Sequence, residues 1–350
     1  MNGNLAAACL LCLPTIADAQ GFAGLGSDAV GFALPDPAHR LTFPEDHGAH
    51  PAFRIEWWYL TANLTGPDGT DYGIQWTLFR SALAPFEEAG WASPQIWLGN
   101  AGLTTPTTHF AAEKLARGGT GQAGVETVPF AAWIDDWRMA GTETLDRLTL
   151  SASAEDFGYE LTLNATGPLV PQGEDGYSVK SAGGQASHYY SQPFYEIAGT
   201  ISLPEGDIPV TGQGWLDREW SSQPLADTQD GWDWISLHFD SGAKLMGFRL
   251  RDRSGPPFTS ATWISTDGTP TPYSDGELTM RPLATTDIAG AKIPTRWQID
   301  LPAQALSVEI DAINPNAWMD LSFPYWEGPV RITGNQPGRG YLEMTGYAAE

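Results

Sequence analysis

The residues best suited to chemistry lie close together in the middle of the chain. Ser187-His188-Tyr189-Tyr190-Ser191 is followed, after a strand-like run, by Gly214-Trp215-Leu216-Asp217-Arg218-Glu219-Trp220. Gly and Pro punctuate the interval at Gly199, Pro204, Gly206, Gly212 and Gly214, a pattern of two short strands folding back. That fold-back is expected to bring His188 near Asp217. An Asp buried among aromatic rings has its pKa raised and can hold a proton near neutral pH. His has an unperturbed pKa suited to taking a proton up. Such a pair could add water to a carbon–carbon double bond. Asp217 would protonate carbon, ring faces would stabilise the cation, and His188 would deprotonate the attacking water. Tyr190 and Trp215 are then the cation-stabilising walls, with Trp57, Tyr59, Tyr189, Trp220 and Glu56 as further substrate-facing residues. The competing reading is an ordinary buried hydrogen-bonded pair closing a β-structure.

The elements that would position these residues read as strands. Arg54 to Leu64 is densely aromatic, Gly66-Pro67-Asp68-Gly69 is a turn, and Tyr72, Ile74, Trp76 and Leu78 alternate on the return. Leu148 to Ala152 and Tyr159 to Leu163, broken at Asp156-Phe157-Gly158, form a second hairpin. Trp234 to Phe239 and Leu245 to Leu250, joined at Asp240-Ser241-Gly242, form a third. Ser307 to Ile313, Arg331 to Thr333 and a closing Gly340 to Tyr347 continue the pattern, while Ala111 to Arg117 is the best candidate for a short helix. Many short strands separated by turns predict an all-β protein of barrels or sandwiches. A boundary near Gln223-Pro224 rests on the turn cluster from Ser221 to Gln229.

Composition narrows the function classes. A net charge of −24 argues against a nucleic-acid partner, which needs a basic stripe, and against docking to an anionic membrane. Leu5 to Ile16 followed by Ala17-Asp18-Ala19 reads as a signal peptide over residues 1–19, although no Lys or Arg precedes it; a frayed or membrane-anchoring N-terminus is the alternative. Cys9 and Cys12 both fall inside this segment, so the mature chain would have no disulfide and no cysteine nucleophile. Nothing in the mature chain is apolar for the roughly 20 residues a membrane helix needs. The mature protein is therefore expected to be exported, periplasmic or secreted.

Other motifs are weaker. Glu45, His47 and His50 lie close in sequence, but zinc usually takes three or four ligands, so no metal is expected. Asp135-Asp136, beside Trp133 and Trp137, suits a solvated turn better than a glycosidase pair, because strand neighbours face opposite ways. Glu56, in an apolar strand, needs a partner such as Arg54, Arg80 or Arg218, or else is a second cavity acid. Asn63-Leu64-Thr65 and Asn164-Ala165-Thr166 are sequons. No Walker loop, dinucleotide fingerprint or Gly-x-Ser-x-Gly is present, and no cofactor is implied.

Four stretches taken together resemble one family: Glu56-Trp57-Trp58-Tyr59 with Asn63-Leu64, Ser187 to Ser191, Gly214 to Trp220, and Gly340 to Tyr347. In this order, over roughly residues 40 to 350, the chain is similar to the exported AttH and carotenoid 1,2-hydratase (hydroxyneurosporene synthase) superfamily. The resemblance implies two consecutive lipocalin-like barrels, at 40–222 and 223–350 after a leader at 20–39, with a cavity for an isoprenoid or other lipophilic ligand. In the hydratase branch, catalysis is placed on a His with an aromatic two residues on and on an aromatic-x-Asp. Here these match His188 with Tyr190 and Trp215 with Asp217, the aromatics being exchanged where a hydratase carries Trp and Tyr. If the chain is an enzyme, the resemblance implies a hydro-lyase; many exported members have no assigned reaction. A non-catalytic periplasmic carrier of an apolar ligand, linked to an ABC transport system, is the alternative, and a carbohydrate-active protein with an open Trp-floored groove is a third.

Overall fold

The structure, a computed structural model, describes residues 29–223 and 225–347. The segment expected to be a signal peptide, both cysteines, the first part of the expected leader and Pro224 lie outside them. The chain is all-β, with two lipocalin-like barrel domains. The first sheet is built from β1 (Ile55–Thr65), β2 (Asp71–Ala82), β3 (Gln95–Thr104), β4 (His109–Arg117), β5 (Ala123–Thr127), β6 (Phe130–Ile134), β7 (Trp137–Gly141), β8 (Arg147–Ser153) and β9 (Gly158–Ala165). The short β10 (Val170–Pro171) and β11 (Tyr177–Val179) follow, then the long β12 (Ala186–Leu203) and β13 (Gly206–Ser221). Its order is β4-β3-β2-β1-β13-β12-β9-β8-β7-β6-β5, with β10 and β11 on β12.

The second sheet comprises β14 (Gln229–Phe239), β15 (Lys244–Asp252), β16 (Phe258–Ile264), β17 (Pro270–Tyr273), β18 (Thr279–Ile288), β19 (Ala291–Leu301), β20 (Leu306–Ala312), β21 (Trp318–Met319), β22 (Tyr325–Gly334) and β23 (Gly338–Met344). It runs β17-β16-β15-β14-β23-β22-β20-β19-β18, with β21 on β22, as a half-barrel beside the nearly closed first one. Among the described residues no helix is long and apolar enough to cross a membrane.

Three apolar cores result. Trp58, Leu60, Trp76, Ile134, Leu161 and Leu216 fill the first barrel. Ile235, Trp297, Ile310, Trp326 and Leu342 fill the second. Tyr59, Tyr189, Trp215, Trp234, Phe248 and Tyr341 form the seam between them. Strand side chains alternate faces, so β1 sends Trp58 and Leu60 into its own barrel and Tyr59 into the seam. A strand buried on both faces shows little polar alternation, which is why Arg54 to Leu64 reads as aromatic throughout. The barrels approach closely: a Cβ on Gly73 would sit 2.6 Å from Pro329, so glycine is required there.

The three hairpins expected from the sequence form, as β1–β2, β8–β9 and β14–β15. Ala111 to Arg117 is not a helix. It lies within β4, paired along β3 from Ile96–Arg117 to Thr104–His109. A two-turn helix is marginal alone, and pairing with an exposed edge satisfies the same backbone groups. Asp135 and Asp136 form the turn between β6 and β7, where Asp136 is paired with Lys114. Of the two sequon asparagines, Asn63 is buried in β1 and Asn164 is exposed on β9.

Candidate active site between the barrels

Register decides which side chains meet. β13 pairs with β12 so that Asp217 is opposite Ser191, Glu219 opposite Tyr189, Arg218 opposite Tyr190 and Trp220 opposite His188. On its other side, Asp217 is opposite Tyr59, Glu219 opposite Trp57, Arg218 opposite Trp58 and Trp220 opposite Glu56. Alternation then sorts these residues into two sets. Trp57, Tyr59, Tyr189, Ser191, Trp215, Asp217 and Glu219 face the seam. Glu56, Trp58, His188, Tyr190, Arg218 and Trp220 face the mouth of the first barrel.

The seam holds a pocket of about 320 Å³. One wall is Trp57, Tyr59, Tyr189 and Asp217; the other is Trp232, Trp234, Phe248 and Glu343 from the second barrel. Asp217 is buried. Its Oδ2 accepts from the Tyr189 hydroxyl at 2.6 Å, and its Oδ1 accepts from Trp215 Nε1 at 2.6 Å and from the Ser191 hydroxyl. Burial raises its pKa to about 7, against the three donors and with added repulsion from Glu219. Trp234 Nε1 donates to the Tyr189 hydroxyl at 3.2 Å, tying the second barrel to this wall. The Lys180 ammonium lies 2.8 Å from Glu219 and 4.2 Å from the Phe248 ring centre.

Two more carboxyls belong to the second barrel. Glu343 accepts from Trp232 Nε1 at 2.5 Å, and burial raises it to about 7. Glu327 is fully buried, accepts the Tyr59 hydroxyl, and is raised well above the carboxylate range by that burial. The pocket thus offers carboxylic acids inside an aromatic enclosure, the arrangement that donates protons at neutral pH.

The mouth of the first barrel is a different environment, plugged by the N-terminal segment. His188 Nε2 accepts from the Asp36 backbone N–H at 3.3 Å, and its ring lies 4.5 Å from that of His39. Burial, with His39 and His50 nearby, lowers its pKa to about 4. The Tyr190 hydroxyl bonds His47 Nδ1 at 2.6 Å, and Trp220 stacks on His50 with ring centres 4.0 Å apart. Glu56 is ion-paired with Arg80 and Arg218 and lies 3.0 Å from His50. Burial pushes its pKa up, but Arg80, His50 and Arg218 outweigh it and hold Glu56 well below the carboxylate range.

Against the sequence-based expectations, the structure brings Asp217, Tyr189, Tyr59 and Trp57 into one pocket and separates His188 from them. His188 and Asp217 do not pair. The partner of Asp217 is Ser191, three positions from His188, and an odd offset puts two residues on opposite faces. Tyr190, Trp220 and Glu56 leave the pocket by the same parity, and Glu56 takes the salt-bridge role. Trp215 supports Asp217 through its indole N–H rather than lining the wall. His47 and His50, considered as zinc ligands, are engaged with Tyr190, Glu56 and Asp46.

Sequence reasoning missed Glu343, Trp232 and Trp234 as wall residues, and Glu327 buried behind them. Glu343 carried a usable signal, a lone carboxylate between Leu342 and Met344 in an apolar strand. Lys180 lies in irregular chain with no pattern to mark it.

The chain belongs to the AttH-like family, whose sequence profile matches residues 34–347. It is similar to the crystal structure of a protein from Nitrosomonas europaea assigned as AttH, with 34% identity, a TM-score of 0.82, and coverage of 91% of this chain and 100% of that one. Kievitone hydratase from Nectria haematococca has the same fold at 13% identity and a TM-score of 0.68, covering 91% of this chain and 98% of its own. CghA, solved with Sch210972, shares it at 12% identity and 0.55, covering 92% and 97%. No curated protein sequence matches the chain.

Proposed function

We propose that the protein binds a lipophilic unsaturated ligand in the seam and adds water across one of its double bonds, with Asp217 as the acid. The observation that carries this reading is Asp217 itself: a buried carboxyl, held by three donors in an aromatic wall, with a pKa of about 7. Such a group can hold a proton at neutral pH and release it to carbon. The developing cation would meet the faces of Trp57, Tyr59 and Trp234. A structural neighbour named as a hydratase accords with the reading.

Carriage without chemistry is the second reading, favoured by the position of His188 on the opposite face from Asp217. Incubating purified protein with a panel of acyclic isoprenoids and other unsaturated lipids in oxygen-18 water separates the two. Labelled product from the wild type, absent with Asp217→Asn, supports hydration. Bound, unchanged ligand in both proteins rejects hydration for that panel and leaves a carrier. We also infer export from residues 1–19; sequencing the N-terminus of the protein recovered from cells should begin at Gln20, and an intact Met1 would count against it.

A further inference from the structure

The second barrel's wall contains a carboxyl pair with a chemical consequence of its own. Glu327 on β22 and Glu343 on β23 are directly opposite each other across an antiparallel pairing. Cβ atoms of opposed residues are roughly 4.5–5.5 Å apart, so two glutamate carboxyls can meet there. Glu343 is partly open to the pocket, while Glu327 is sealed behind it. Glu327 receives the Tyr59 hydroxyl, which also reaches Glu343, and Tyr325 is its other hydroxyl partner.

A fully buried carboxylate whose partners are neutral hydroxyls is costly, and two adjacent carboxylates cannot both ionise easily. One proton held between the pair relieves both costs. Among the described residues no cation is recorded against the pair. Tyr59 from β1, Tyr159 from β9, Glu219 from β13, and Tyr325 and Tyr341 on the pair's own strands are the ionisable groups that face it. The pocket's cations Lys180 and Arg80 are engaged by Glu219 and Glu56.

We propose that Glu327 and Glu343 share one proton, and that Glu343 exchanges it with whatever the pocket holds. Its catalytic use rests on the hydration reading above. Asp217 gives its proton to one alkene carbon, the π pair becoming the new C–H bond. A water lone pair forms the C–O bond at the other carbon, and the proton that water loses goes to the Glu343 carboxylate. Solvent returns that proton to Asp217, and no oxidant or reductant is needed. Glu343 touches the reacting water and is catalytic, whereas Glu327 acts through Glu343 and is a positioning residue. Burial raising both members agrees with a shared proton.

The test is a carbon-13 NMR titration of glutamate carboxyls in the full, ligand-free chain. Glu327→Gln assigns the Glu327 signal by loss. In Glu343→Gln, which removes only the neighbouring charge, the Glu327 midpoint should fall by more than about one pH unit. Glu343→Ala removes the same charge and gives the same information should Glu343→Gln fail to fold. Midpoints that stay in place in the folded variants overturn the shared proton. Oxygen-18 incorporation by the same proteins keeps the two ideas apart. Moved midpoints without label from wild type leave the proton pair standing and reject hydration; unmoved midpoints with label reject the pair and leave hydration with another base.

Discussion

The seam and the barrel mouth share three strands, β1, β12 and β13, on whose opposite faces they lie, yet they solve opposite electrostatic problems. On the mouth face, Glu56 meets Arg80, Arg218 and His50, and its charge is stabilised. On the seam face, Asp217 meets only neutral donors, and its proton is retained. Adjacent residues thus differ because Arg218 and Asp217 point to opposite sides of one strand. Paired charge holds the N-terminal plug in place, and unpaired acid is what a reactive pocket needs. A single residue step along β13 separates the ion-paired face from the face that carries the buried acid.

The sharpest way to break this contrast is Asp217→Asn. Loss of the acid should lower labelled-product formation by about 10²–10⁴-fold, with the circular dichroism spectrum and ligand retention kept. A rate within a few-fold of wild type would remove Asp217 from the chemistry. On the mouth face, Glu56→Ala leaves Arg218 and Arg80 buried without their carboxylate. Denaturant unfolding should show a loss of about 3–5 kcal/mol, with any oxygen-18 incorporation by wild type kept in the folded fraction.

The two faces should also respond to pH with opposite signs. His188 has its pKa lowered to about 4 in the fold, so the unfolded chain binds more protons between pH 4 and the ordinary histidine value near 6.5. Its contribution to stability is therefore present above that range and lost as pH falls through it. Asp217 is raised to about 7 from 3.8, so its contribution is present at acid pH and lost as pH rises towards 7. Asp217→Asn should gain on wild type by about 1.4 kcal/mol per pH unit between pH 4 and 7, whereas His188→Phe should lose ground to wild type over the same interval. Parallel curves for either variant would show that its side chain does not titrate as described.

The smallest effect sharpens the picture within the pocket. Tyr189→Phe removes a donor that lowers the Asp217 pKa, so the carboxyl midpoint should move upward by up to about one unit. It should also weaken the tie to Trp234, at about 1 kcal/mol of stability. A downward move would mean that another group sets the acidity.

Much of the scaffold was legible in the residues alone. Period-two alternation and turn residues marked the hairpins, and the four motifs together implied two barrels before any pairing was known. Asp217 could be singled out because its neighbours Trp215 and Trp220 promised a dry site. The side that each residue faces was not legible, since β1 and the parts of β12 and β13 beside the site, residues 186–195 and 214–221, are buried on both faces and present no polar stripe from which to count. His188 was therefore placed with Asp217 on proximity, although strand parity puts them apart. The second wall was equally hidden, because Tyr59 and Glu327 are 268 residues apart in sequence, and nothing local to either forecasts the other. Local chemistry thus determined the strands and the candidate acid. Only the register of long-range pairing and the docking of one barrel on the other decided what that acid faces, because side-chain direction in a sheet is set by its partners.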